Sequence, residues 1–143
     1  MGNEKVHLLA NSGNYKIRFE MLSIHGKWWS AEYYYFMLDS ETDFYRIHVG
    51  GFSGDVPDGM EYTASPQWLQ NGMKFTTWDS DNDLTSFNCA VKLNGGWWYN
   101  GCYQANLNGD YYAAFQFWSM SCPGTEPTQC LQLNMSRIMI KPV

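Results

Sequence analysis

The chain has 143 residues, a length that suits one domain with its own core. Its formal net charge of −5 disfavours nucleic acid or an anionic bilayer as a partner. No apolar run reaches the roughly 20 residues needed to span a membrane, and an aromatic content of 17% points to a core of bulky plates or a stacking surface.

In chain order, Asn3 to Ala10 predicts a short helix, capped at Asn3 and stopped near Asn11-Ser12-Gly13. Tyr15 to Met21 alternates apolar and polar residues, the pattern of a half-buried strand. A turn at His25-Gly26-Lys27 leads into a second, aromatic-rich strand from Trp28 to Leu38. Asp39 to Asp43 reads as a polar turn, and Tyr45 to Val49 alternates again, ending at Gly50-Gly51. These strands predict an antiparallel meander. Beyond it, Gly, Pro, Asn, Asp and Ser recur every few residues, so loops and short elements are expected, held by disulfide, metal and Trp packing. Gln132 to Ile140 returns to strand character and is expected to re-join the first sheet.

Met1-Gly2-Asn3-Glu4 lacks the basic and apolar regions of a signal peptide, so either a signal has been removed or the start is artificial. Asn134-Met135-Ser136 is the one N-glycosylation sequon, in a segment expected to be strand. The four cysteines, Cys89, Cys102, Cys122 and Cys130, form no C-x-x-C, and His7, His25 and His48 lie far upstream, which argues against zinc. Two disulfides and an oxidising compartment follow. Local pairing would join Cys89 to Cys102 and Cys122 to Cys130, with two other connectivities open.

Asp79, Asp81 and Asp83 alternate within Trp78-Asp79-Ser80-Asp81-Asn82-Asp83. Alternate side chains of an extended or turning backbone share a side, so hard oxygens can converge as Ca²⁺ requires. No EF-hand register fits: counted from Asp79 or from Asp81, the glycine and the closing glutamate are both missing. A solvated acidic turn is the alternative. No nucleophile elbow or zincin motif appears, and no spacing assembles a base, an orienter and a nucleophile, so an enzyme is not expected.

After the acidic run come Asn88-Cys89-Ala90, Gly96-Trp97-Trp98-Tyr99-Asn100-Gly101-Cys102 and Ala105-Asn106-Leu107-Asn108-Gly109-Asp110-Tyr111-Tyr112. Upstream lie Val6-His7-Leu8-Leu9, Asn14-Tyr15-Lys16-Ile17-Arg18, Tyr45-Arg46-Ile47-His48-Val49-Gly50-Gly51-Phe52-Ser53-Gly54 and Asn71-Gly72-Met73-Lys74-Phe75-Thr76-Thr77. In this order the segments resemble the fibrinogen-like domain of fibrinogen chains, ficolins, tachylectins and angiopoietins. The likeness runs over roughly residues 2 to 112 and the closing Ile138 to Pro142. The family's first part, a disulfide subdomain and two strands of the central sheet, has no match here. A sheet so shortened is expected to leave an open edge that invites pairing with another chain, so a homo-oligomer is possible.

The resemblance implies an α+β fold, a small antiparallel sheet beside a loop-rich Ca²⁺ and ligand part. It implies one truncated domain over residues 1–143, with the sheet in 1–50 and 131–143 and the loops in 51–130. It implies a Ca²⁺ ion held by the carboxylates of Asp81 and Asp83 and the main-chain carbonyls of Thr85 and Phe87, with Asp79 outside the shell. It matches Cys89 and Cys102 to the family's C-terminal disulfide. In the family the bond before the second cysteine is often cis, here Gly101–Cys102, which turns backbone N–H groups toward a pocket for an acetyl group or an N-terminal peptide. A trans bond in a structural disulfide loop is the alternative. Tyr103 stands where the family usually has His, and offers a hydrogen bond without a positive charge. The family's longer pocket loop is replaced by residues 113–118 and the extra Cys122 and Cys130. Tyr112, Phe115 or Phe117 could wall the pocket, whereas Trp97, Trp98 and Trp118 are assigned to the core.

The leading expectation is a secreted, Ca²⁺-stabilised recognition domain for acetylated carbohydrate, lectin-like, in innate defence. The rival is an extracellular protein-binding module of fibrinogen or angiopoietin type. A scaffold whose pocket is lost is the third reading.

Overall fold

The computed structural model describes residues 1–61, 65–110, 117–118 and 133–143, and only the backbone at Phe117. Helix α1 spans Asn3–Ala10. Its N-cap is Gly2, with no side-chain cap bond, so Asn3 lies inside the helix and does not cap it as expected. His7 Nδ1 and Asn11 Nδ2 both donate to the Leu38 carbonyl, at 2.8 and 2.7 Å, and fix the helix to the sheet.

Strands β1 (Tyr15–Ser23), β2 (Trp28–Leu38), β3 (Ile47–Gly54) and β6 (Leu133–Pro142) form one antiparallel sheet in the order β3-β2-β1-β6. The alternation in β1 buries Ile17, Phe19, Met21 and Ser23 on one face. In β2 the alternation slips. Tyr33 and Phe36 are buried, while Tyr34 and Tyr35 between them are exposed. Tyr15 faces Phe36 and Ile17 faces Tyr33, so β2 carries one residue more than β1 over this stretch, a bulge.

Two features displace the third strand from its expected span of residues 45–49. Phe44 and Tyr45 both take left-handed conformations, φ 53° and 49°, which delays the strand to Ile47. Gly51, at φ +70°, carries the backbone past Gly50-Gly51 instead of ending it, and a Cβ there would sit 3.1 Å from that of Tyr34.

The inner face of the sheet is roofed by tryptophans from the loops. Phe19 lies 4.8 Å from Trp118 and 6.3 Å from Trp97 between ring centroids, and Trp97, Trp98 and Trp118 are all buried. Helix α2 (Cys89–Leu93) and the short pair β4 (Ala105–Asn106) and β5 (Phe117–Trp118) interrupt the loops. Among the described residues, no helix is long and apolar enough to cross a membrane.

Candidate functional site

The acidic loop hangs from the core by Asn82. Its backbone N–H reaches Thr76 Oγ1 at 3.1 Å, and its side-chain amide donates to the Phe75 carbonyl at 2.9 Å. From there the chain curls around Asp83. Asp83 Oδ1 accepts from the Thr85 N–H and hydroxyl, both at 2.9 Å, and Oδ2 accepts from the Cys89 N–H at 2.8 Å. Asp81 Oδ1 takes the Asp83 N–H at 3.3 Å. The Thr85 hydroxyl also contacts the Phe87 carbonyl. Asp79 turns away and accepts from Thr77 Oγ1 at 2.7 Å. Among the described residues, no three Asp, Glu, His or Cys side chains gather at one point. A cation here would therefore need main-chain oxygens beside two carboxylates. Asp81, Asp83, Thr85 O and Phe87 O meet that requirement in chemistry. All are hard oxygens, and a carboxylate offers about four lone-pair sites, so even Asp83 with its three donors keeps one for a metal.

Asn88 then caps α2. Its Oδ1 accepts from the Val91 N–H at 3.1 Å, while its Nδ2 donates to the Thr77 carbonyl at 2.9 Å. This short helix was missing from the sequence reading, although an Asn before Cys-Ala-Val-Lys-Leu is a start signal. Cys89, at its first turn, is joined to Cys102. Acidic loop and disulfide thus share one hydrogen bond, from the Cys89 N–H to Asp83.

The second half of the site is the segment from Trp98 to Ala105, clamped to residues 66–70. Asn100 Nδ2 donates to the carbonyls of Pro66 and Leu69 at 3.0 and 2.7 Å. Fully buried Gln70 donates to the Trp98 and Ala105 carbonyls and accepts from the Ala105 N–H at 2.8 Å. The Gly101–Cys102 peptide is cis, and the Gly101 N–H is spent on the Gln67 carbonyl at 2.8 Å. Tyr103 is half-buried, and that burial raises its pKa, which keeps the phenol protonated at neutral pH.

The structure thus places Asp81, Asp83, Thr85 and Phe87 on one curled loop, and ties that loop to Cys89, Cys102, Gly101 and Tyr103. Tyr112, Phe115, Cys122 and Cys130 lie outside the described residues. Phe117 is described in its backbone, which pairs with Asn106. Gln70 and Asn100 brace the site but carry no local sequence signal. Their partners lie some thirty residues away.

The model of one protein family, fibrinogen beta and gamma chains C-terminal globular domain, matches residues 1–125. The human fibrinogen gamma chain is 37% identical over 133 residues, covering 86% of this chain and 29% of its own length. Human ficolin-3 is 40% identical over 112 residues, covering 78% of this chain and 35% of its own length. The fibrinogen-like globe domain of human ANGPTL2 superposes with a TM-score of 0.84 at 33% identity, over 99% of this chain and 64% of that one. The chain spans about a third of the length of these two curated relatives. On motifs, fold and relatives together, the chain belongs to the fibrinogen C-terminal globular-domain family.

Proposed function

We propose that this fibrinogen-like recognition domain is an extracellular, Ca²⁺-stabilised module that binds an acetylated neutral glycan, without catalysis. The supporting observation is the rigid base under Gly101, Cys102 and Tyr103, made of a disulfide, two clamping amides and a self-bonded acidic loop. A surface already ordered before contact loses little entropy on binding. With the Gly101 N–H committed to Gln67, a ligand carbonyl would meet the Cys102 N–H and the Tyr103 phenol. An aromatic wall suits a methyl group, the role expected from the sequence of one among Tyr112, Phe115 and Phe117, and an acetamide offers both chemistries. The net charge of −5 disfavours anionic ligands, and Tyr103 adds no cation. Asp81, Asp83, Thr85 O and Phe87 O would hold the Ca²⁺. Its charge would pin the loop that carries Cys89 and take no part in chemistry. The Cys89–Cys102 bridge suits an oxidising, secreted setting.

The test is competition between N-acetylglucosamine and glucosamine in isothermal titration, with Ca²⁺ and with chelator. N-acetylglucosamine is expected to bind and glucosamine not. Tyr103→Ala is expected to weaken binding about tenfold, the loss of one good hydrogen bond, without unfolding the domain.

A second reading, a protein-binding module, draws on another observation. Trp78, Leu84, Phe87 and Val91 are 76, 71, 46 and 57% exposed around the acidic loop and α2. Aromatic anchors of this kind dominate protein interfaces. Failure of every N-acetylated sugar in the titration would favour this reading.

A further inference from the structure

Asn134-Met135-Ser136 is the one stretch of this sequence with the acceptor pattern for an N-linked glycan. A regular strand is a poor place for one, because alternate side chains point into the core. The register of β6 removes that objection. Leu22 faces Met135 and Ser23 faces Leu133, so Asn134 has no partner on β1 and is the extra residue of a bulge. It is exposed, next to buried Leu133 on one side and to Met135, 43% exposed, on the other. The side-chain amides of Asn71, Asn82, Asn88 and Asn100 are all spent on backbone carbonyls. Asn134 differs. Among the described residues its side-chain amide makes no hydrogen bond. Beside it, Met135, Leu22 and Trp28 lie in one row across the face of the sheet turned away from the core, and Trp28 is 41% exposed. A solvated glycan rooted next to that row would shield apolar surface.

We propose that Asn134 carries an N-linked glycan. The proposal rests on the extracellular reading of the domain, since this modification belongs to the secretory pathway, where the Cys89–Cys102 bridge also forms. The donor is an oligosaccharide joined through N-acetylglucosamine to a polyisoprenyl pyrophosphate. Asn134 Nδ2 attacks C1 of that sugar. The C1–Nδ2 bond forms, the C1–O bond breaks, and its electron pair leaves with the pyrophosphate. One amide proton passes to base. The Ser136 hydroxyl is read while the chain is still extended, so the bond it makes in the folded strand does not compete. After folding, the bulge lets Leu133 and Met135 keep their places opposite Ser23 and Leu22 while Asn134 stands outside the pairing.

The test is expression behind a secretory signal in eukaryotic cells, with chain recovered from both the medium and the secretory lumen. Intact mass is measured before and after digestion with a peptide N-glycosidase, and the Cys89–Cys102 bridge is mapped on the same material. The wild type is expected to lose the mass of one glycan on digestion, with deamidation at Asn134, and to carry the bridge. Asn134→Gln, which keeps a side-chain amide, and Ser136→Ala, which keeps Asn134, are each expected to abolish that mass loss. Asn134→Gln is also expected to keep the wild-type circular dichroism. An unmodified Asn134 in chain that carries the bridge overturns the proposal and leaves the extracellular reading standing. A glycan confined to chains without the bridge overturns it too, because the modification would then be incompatible with the fold. Chain recovered with neither glycan nor bridge fails both readings.

Discussion

The sheet and the acidic-disulfide loops are held together in different ways. In the sheet, main-chain ladders pair β1 with both neighbours along its length, and side chains need only alternate. In the loops the main-chain bonds are scattered turns and bridges rather than a ladder, and amide side chains supplement them. Gln70, Asn71 and Asn100 bond backbone groups distant in sequence, and Asn82 and Asn88 bond those of the preceding loop. A ladder shares its stability over many equivalent bonds, whereas a loop clamped by single amides and one disulfide concentrates it. Damage at one position should therefore spread in the loops and stay local in the sheet.

The largest expected effect lies where the regions meet. Trp97 is fully buried, touches Phe19 of the sheet and Trp98 of the loops, and bridges Thr76 through its backbone. Trp97→Ala should cost about 3–5 kcal/mol and lower the cooperativity of both regions in a urea titration followed by circular dichroism. If only the loops loosen, the two regions are less coupled than the packing requires.

Removing the disulfide should separate them more cleanly. The bridge closes a loop of 13 residues, so Cys89→Ser with Cys102→Ser should cost about 3 kcal/mol. Hydrogen exchange should then lose protection near residues 83–102 while β1 and β2 keep theirs.

The proposed Ca²⁺ would act on the same loop. Ca²⁺ at a hundredfold excess over its Kd should stabilise the wild type by about 2.7 kcal/mol, visible as a higher melting temperature. Asp81→Ala with Asp83→Ala should abolish the rise. Equal melting temperatures of the wild type in Ca²⁺ and in chelator would remove the cation from the site.

The smallest effect belongs to the sheet. Glu20 bonds the Arg18 Nε at 2.9 Å and the Arg137 guanidinium at 2.7 Å, and chiefly the Arg18 bond holds its pKa below the ordinary 4.5. A folded-state pKa below the unfolded one gives stability that is present above pH 4.5 and is lost as the pH falls through the folded value. Glu20→Gln should remove that small contribution at neutral pH and leave strongly acid pH unchanged, so that the acid limb of the stability profile flattens. The exposed side chains keep the effect small.

The bracing amides show where legibility ends. Helix α1 and strand β2 match the sequence reading residue for residue, because periodicity and turn signals act within a few residues. The start of β3 was misplaced because nothing nearby announces the left-handed pair Phe44-Tyr45. Gln70 gave no signal, since a glutamine in a loop resembles any polar loop residue until Ala105 and Trp98 are brought to it. At the site, the acidic run, the cysteine spacing and the family resemblance named Asp81, Asp83, Cys89 and Cys102. The bond from Cys89 N–H to Asp83 that unites the two features required the folded backbone.

By itself, then, the sequence determined the strands of the sheet, the tryptophan core and family membership, because hydrophobic spacing and short motifs are written locally. Only the tertiary structure decided that the Gly101 N–H bonds the Gln67 carbonyl, that residues 71–73 bond the edge of β3, and that Gln70 spans Trp98 and Ala105. Each of these depends on which distant backbone groups meet, and hydrogen-bond partners separated by twenty or more residues leave no trace in local pattern.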